Sequence, residues 1–182
     1  MILILTTLLF FTFTSCGQTQ KSNEKAVEEN PDWKTLDGKD YSIKYPADWE
    51  LNQNGEMGTT FVLFSPLDTR QDKFRDNVNF IIQDLSGYNL DLNKFVEISE
   101  TQVKTMITNS ILIESTRIKT DTDEFHRMIF TGDQGKLHLK FEQFFWVKND
   151  KSYVLTLTCE QDKFSDFKEV GEAILNSFSF KQ

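Results

Sequence analysis

The sequence predicts an α+β domain, a central antiparallel sheet of six or seven strands flanked by helices on both faces. Three observations lead there: runs that alternate apolar with polar residues, short turns rich in Gly, Asn and Asp between the later runs, and two longer segments with helical spacing of apolar residues.

Composition sets the bounds. The 182 residues are 38% hydrophobic and 13% aromatic with only 8 Gly and 3 Pro, which describes one folded domain with a short extra and excludes disordered, collagenous and repeat chains. Seventeen Phe promise a thick aromatic core, so that stability needs neither metal nor disulfide. Against 20 Lys+Arg stand 28 Asp+Glu, a net charge of -8, which leaves no bulk basic surface for phosphates and argues against nucleic-acid binding.

The elements follow in order. Tyr41, Ile43 and Tyr45 alternate with Ser42 and Lys44 until Pro46 ends a strand. Thr60 to Ser65 is apolar on both sides through Phe61, Val62, Leu63 and Phe64, and Val78, Phe80 and Ile82 alternate against Asn77, Asn79 and Gln83 in another strand. Between Asp91 and Ile107 the residues Leu92, Phe95, Val96, Val103, Met106 and Ile107 recur at helical spacing, with Asp91 placed to cap the free amides of the first turn. Four antiparallel strands come next: Ile111 to Lys119, Glu124 to Thr131, Lys136 to Val147 and Ser152 to Cys159. The turns between them, Thr120 to Asp123, Gly132 to Gly135 and Lys148 to Lys151, carry the residues that tolerate turn geometry. In the third of these strands Leu137, Leu139, Phe141, Phe145 and Val147 share one side, while Lys136, His138, Lys140 and Glu142 precede Phe144 and Trp146 on the other. From Ser165 onward Phe167, Val170, Gly171, Ile174, Leu175 and Phe178 form one stripe, a helix that packs on the sheet.

The amino terminus is of a different kind. Residues 1–15 carry no charge, and the run from Ile2 to Phe13 is almost continuously apolar, too short to span a bilayer and of the length of a secretory signal. It ends in Phe13-Thr14-Ser15-Cys16, which resembles the bacterial lipobox, with Phe13 where Leu is commonest. That resemblance implies a diacylglyceryl group on the Cys16 thiol, cleavage before it, and anchoring by two or more acyl chains; the alternative is an ordinary cleaved signal with Cys16 incidental. Residues 16–32 are polar and form a flexible tether of roughly 20 Å root-mean-square reach, with the globular domain over 33–182. An acidic domain is repelled by anionic lipid heads, so the membrane is reached through the lipid on Cys16.

Three stretches carry a second resemblance: Tyr41-Ser42-Ile43-Lys44-Tyr45-Pro46-Ala47-Asp48-Trp49, Asn93-Lys94-Phe95-Val96-Glu97 and Ile174-Leu175-Asn176-Ser177-Phe178. With the order of elements they are similar to the PsbP family. The resemblance implies a six- or seven-stranded antiparallel sheet with helices on both sides. Relatives include photosystem II extrinsic proteins, a Ran-binding nuclear import factor and bacterial envelope lipoproteins, which share a scaffold rather than a chemistry.

Candidates for chemistry are few. His126 and His138 are the only histidines, and the expected hairpin register, with His138 opposite Ile129 and His126 opposite Phe141, sets them on the order of 10 Å apart as surface residues. Cys159 is expected buried and inert. Asp121, Asp123 and Glu124, like Asp68, Asp72 and Asp76, read as solvated acidic loops without the spacing of a calcium loop. No Gly-rich phosphate loop, GxSxG, HExxH or CxxC occurs, so no catalytic residue, metal or cofactor is assigned. Trp33, Phe144 and Trp146, with Trp49, are the candidates for an exposed partner-binding patch, the alternative being that a helix covers Phe144 and Trp146 and that Trp49 closes a strand from within the core.

The reading is a non-enzymatic, lipid-anchored envelope protein, in the outer membrane if the cell has two, whose PsbP-like domain binds a protein partner. Its oligomeric state is not legible. The alternative is a small-ligand carrier or an atypical enzyme using a pocket between the sheet and the Asp91 to Ile107 helix.

Overall fold

Strands that are apolar on both faces need cover on both faces, and that requirement organises this chain. The computed structural model describes residues 32–67, 69, 72, 74–120 and 123–181. The expected signal, the tether with Cys16, and the loop residues Asp68 and Asp121 lie outside the described residues.

Among the described residues, ten strands and two α-helices are laid out as β1 (Lys34–Asp37), β2 (Tyr41–Tyr45), β3 (Glu50–Asn52), β4 (Phe61–Phe64), β5 (Asn77–Asp84), α1 (Leu92–Met106), β6 (Thr108–Lys119), β7 (Glu124–Gln134), β8 (Leu137–Lys148), β9 (Lys151–Glu160), α2 (Phe164–Asn176) and β10 (Ser179–Phe180). Seven strands form one sheet in the order β3-β4-β5-β9-β8-β7-β6, antiparallel throughout, and β1-β2-β10 form a second, small sheet. The large sheet with helices on both faces is the expected architecture. The second sheet was not expected: β1, β3 and β10 have four, three and two residues, too few to establish a period.

Two cores result. On one face α1 packs across β6, β7 and β8, and its Phe95, Val96 and Val103 join Met128, Phe130, Leu139, Phe141 and Phe145. On the other, Phe164, Ile174 and Leu175 of α2 join Leu155, Leu157, Phe144 and Trp146, and the small sheet closes this side through Leu36, Tyr41, Ile43 and Tyr45. The chain leaves α2 at Asn176, where the Ser177 hydroxyl donates to the Ile174 carbonyl at 2.7 Å. Phe178 and Phe180 thus fall beyond the helix, and Phe178 sets its ring 4.9 Å from Trp146 and 5.0 Å from Phe80. Asp91 caps α1 as anticipated, its carboxylate accepting from the Lys94 amide at 2.8 Å.

The β8–β9 turn is the tight two-residue kind, with Asn149 at φ 50° and Asp150 at φ 55° between Lys148 and Lys151. The β7–β8 turn differs from the expected one. Gln134 pairs with Leu137 around Gly135 at φ 60°, so β7 runs to Gln134 and the register slips four residues from the anticipated one.

Gly171 of α2 lies against Leu157 so closely that a Cβ would stand 2.4 Å from a Leu157 methyl, and Leu157 is wholly buried and has nowhere to swing. In an exposed helix Gly→Ala stabilises by about 1 kcal/mol. Here overpacking outweighs propensity, and Gly171→Ala is expected to lower stability by roughly 1 kcal/mol or more in urea denaturation, against a gain if α2 were loosely docked.

Candidate functional site

The sequence-derived aromatic patch does not exist as a surface. Phe144 and Trp146 are each 3% exposed, walled in by Phe125, Phe178 and Phe180, and Trp49 is likewise buried. Their positions on the second face of β8 put them under the small sheet and the chain beyond α2. Trp33 is half-buried against the same core. Cys159 is buried, and burial together with nearby Asp76 pushes its thiol far above the ordinary value, so it holds no nucleophile at neutral pH.

Three polar groupings sit against the sheet instead. The first lies under α2. Arg127 of β7 donates to Glu142 of β8 at 2.7 Å, to both carboxylate oxygens of Glu114 of β6 at 3.1 Å, and to Glu172 of α2 at 3.0 Å. Glu142, on the side of β8 shared with Phe144 and Trp146 as expected, has no exposed side-chain surface, because α2 closes over that face. Burial pushes its carboxyl above the ordinary range, and Arg127 draws it partly back. The guanidinium thus joins three strands and a helix at one point, a structural clasp.

The second grouping lies under α1. The Ser115 hydroxyl donates to Glu100 of α1 and stands 2.7 Å from His126 Nε2. A hydroxyl has one proton; with that proton given to Glu100, His126 Nε2 must carry its own and donate to Ser115. His126 Nδ1 is then bare, buried and without a protein partner. In a serine hydrolase the imidazole takes the serine proton while the acid holds the opposite nitrogen, the reverse of this order. The chain Glu100–Ser115–His126 fastens α1 to β6 and β7. His126 is only 7% exposed, against the expectation of a surface residue, because it lies on the α1 face beside Phe145. His138 is exposed, 2.6 Å from Asp133 at the far end of β7. The register places His138 opposite Asp133, seven residues from His126, or about 23 Å rather than the expected 10 Å.

The acidic loops are less solvated than expected. Asp76 is buried and accepts the Glu160 amide at 3.2 Å, and Asp72 holds Lys163 at 2.6 Å. Asp123 pairs with Lys148 at 2.7 Å, and Glu124 lies 3.4 Å from Arg117.

The third grouping is a strip of uncharged polar side chains on the α1 face where α1 itself does not reach. Across the strands, Gln143 of β8 stands beside Thr156 of β9 and Thr156 beside Asn79 of β5; in the next row Phe141, Thr158 and Asn77 follow in the same order. All five polar residues are buried. Gln143 donates to Thr156 at 3.1 Å and Asn77 to the Arg75 carbonyl at 3.1 Å, while the amide oxygens of both have no protein donor. Sequence reading placed Asn77 and Asn79 opposite Val78 and Phe80 on a strand and found no signal for a site.

An antiparallel sheet with one helix on each face and polar side chains buried between the layers defines an α+β scaffold. The chain belongs to the PsbP-like protein family, whose model matches residues 1–180. Among solved structures it is similar to the cyanobacterial PsbP (CyanoP) of Synechocystis sp. PCC 6803, at 13% identity over 87% of this chain and 98% of that one, with a TM-score of 0.58. LpqN of Mycobacterium tuberculosis, described as involved in cell envelope biogenesis, matches at 10% identity over 82% of this chain and 91% of its own, with a TM-score of 0.61. PA94 of Pseudomonas aeruginosa, a protein of unknown function, matches at 11% identity over 82% and 98%, with a TM-score of 0.57. At these identities the likeness concerns the fold. No curated protein matches the sequence. Among the described residues no helix is long and apolar enough to cross a membrane.

Two consequences are measurable. Arg127→Met strands Glu142 as an unpaired buried carboxylate and is expected to cost about 3–5 kcal/mol in chemical denaturation, whereas Glu142→Gln, which keeps the shape and removes the charge, is expected to cost under about 2 kcal/mol. His126 is held below its ordinary value of 6.5, first by burial and then by Arg117. Its contribution to stability is therefore complete above pH 6.5, and declines below it as the unfolded chain takes up the proton first. The urea midpoint is expected to fall as pH drops from about 6.5 to 5.5, and the slope to shrink in His126→Gln; equal slopes in the two proteins would contradict a buried neutral imidazole.

Proposed function

We propose that this chain is a lipid-anchored cell-envelope protein, held to a membrane by a diacylglyceryl group on Cys16 and carrying a non-catalytic binding domain. The observation that carries the anchor is the tetrapeptide Phe13-Thr14-Ser15-Cys16 directly after an uncharged apolar run, followed by a polar stretch long enough to hold the domain off the bilayer. The fold shared with an envelope-biogenesis protein is consistent with that setting. The binding reading is supported by the side-chain chemistry: the serine and histidine that meet do so in the wrong order for nucleophilic attack, the thiol is sealed, and the half-buried Arg127 is committed to three carboxylates. In a cell with two membranes the outer one is the proposed location.

Cys16→Ser tests the anchor. The wild-type chain is expected to sediment with membranes and float with the outer-membrane fraction on a density gradient, and the variant to move to the soluble fraction with loss of metabolic lipid labelling. Undiminished membrane retention of the variant would overturn the anchor.

A further inference from the structure

An asparagine followed by a glycine carries its own reactive pair: a side-chain amide carbonyl and, next along the chain, a backbone nitrogen that no Cβ shields. Asn54–Gly55 is the one such pair in the sequence. It stands in the loop between β3 and β4, where residues 53–58 are all exposed. Gly55 is in the left-handed region at φ 72°, and a Cβ built there would meet nothing nearer than the Thr59 carbonyl at 3.9 Å, so the backbone is open around it. Among the described residues no group bonds the Asn54 side-chain amide or the Gly55 N–H. Asn54 gives its own N–H to the Asn52 side chain at 2.8 Å, and Gly55 is held through its carbonyl, which accepts from the Gly58 amide.

The other asparagines of the described residues lack this combination. Asn77 and Asn79 are buried in β5, and the side chains of Asn93 and Asn109 are tied to Arg117 and Asp133. The Asn52 side chain is occupied by the Asn54 N–H, and Asn176 lies within α2. Asn89 and Asn149 are exposed but precede Leu90 and Asp150, whose side chains crowd the next nitrogen. The Asp37–Gly38 pair has the same spacing without the same freedom. Asp37 is paired with Ser42 at the end of β1, its carboxylate lies 3.1 Å from the Lys181 ammonium, and Gly38 is packed on the Tyr41 ring so closely that a Cβ would stand 2.4 Å from it.

We infer that Asn54 is a site of spontaneous deamidation through a cyclic imide, with solvent water as the only co-reactant. The Gly55 nitrogen, its proton taken by water or hydroxide, attacks Cγ of Asn54. The bond from that nitrogen to Cγ forms, the bond from Cγ to Nδ2 breaks, and Nδ2 leaves as ammonia. Water then opens the ring in one of two ways. Attack at Cγ restores the main chain with an aspartate in place of Asn54; attack at the backbone carbonyl carbon leaves the main chain running through Cγ as isoaspartate. Nothing is oxidised or reduced. Either product adds one negative charge, beside Glu56, to a chain already at -8, and isoaspartate lengthens the main chain by a methylene just after β3, the three-residue edge strand. The reaction depends neither on the anchor nor on a binding partner.

The test incubates the folded full-length chain for several weeks at mildly acidic and at mildly alkaline pH, beside a sample unfolded in urea, and maps its peptides by mass spectrometry with fragmentation that separates aspartate from isoaspartate. In the folded chain the peptide holding Asn54 is expected to exchange NH for O roughly tenfold faster than any other asparagine peptide, and faster at the alkaline pH, while Asp37 stays unchanged. On isoelectric focusing a more acidic species is expected to grow in the wild type and to be missing in Asn54→Gln, whose longer side chain must close a larger ring. Conversion at Asn54 no faster than at the other asparagines, conversion confined to the urea sample, or an equal acidic species in Asn54→Gln would overturn the site. None of these outcomes bears on Cys16→Ser fractionation, so the modification and the anchor are read separately.

Discussion

The middle strands of the sheet have no free face, and most of the structure follows from that. Strand β8 turns Phe141 and Phe145 toward α1 and Phe144 and Trp146 toward the small sheet. Its neighbour β9 is buried at nearly every position. Burial of aromatic and aliphatic area on both sides drives the packing of two helices, one to each face, and pulls in β1, β2 and β10, which could not stand alone. It also carries charge inward: with α2 seated on the sheet, Glu142 is entombed and must be met, and Arg127 meets it along with Glu114 and Glu172. On the opposite face α1 is tied down by a serine between a glutamate and a histidine.

Much of this was legible because β-strands and helices impose fixed periods on long segments. The alternation along Lys136 to Val147 separated the two faces of β8 residue by residue, and the Asp91 cap followed from its position one residue ahead of a helical stripe. The short strands escaped because two to four residues cannot display a period. The β7–β8 register escaped for another reason. Gly132, Asp133 and Gly135 are turn formers, and only the pairing of Gln134 with Leu137 shows that β7 continues through the first two of them. The burial of His126 was equally hidden: a lone imidazole between Phe125 and Arg127 looks the same in sequence whether or not a helix crosses it.

The polar strip was illegible for the most physical reason. Asn77 and Asn79 alternating with Val78 and Phe80 read as a half-exposed strand, which is the right inference for an edge and the wrong one for a strand set beside β9 in the middle of the sheet. Topology, not local pattern, decides whether a polar face meets water. Polar groups are buried in both layers, charged and paired under α2, uncharged beyond the reach of α1.

The most direct measurement is native-state amide hydrogen exchange along the sheet. The amides of β8 and β9, covered on both faces, are expected to exchange only through global unfolding. Exchange of these two strands at the rate of the exposed turns, well below the global unfolding free energy, would contradict it.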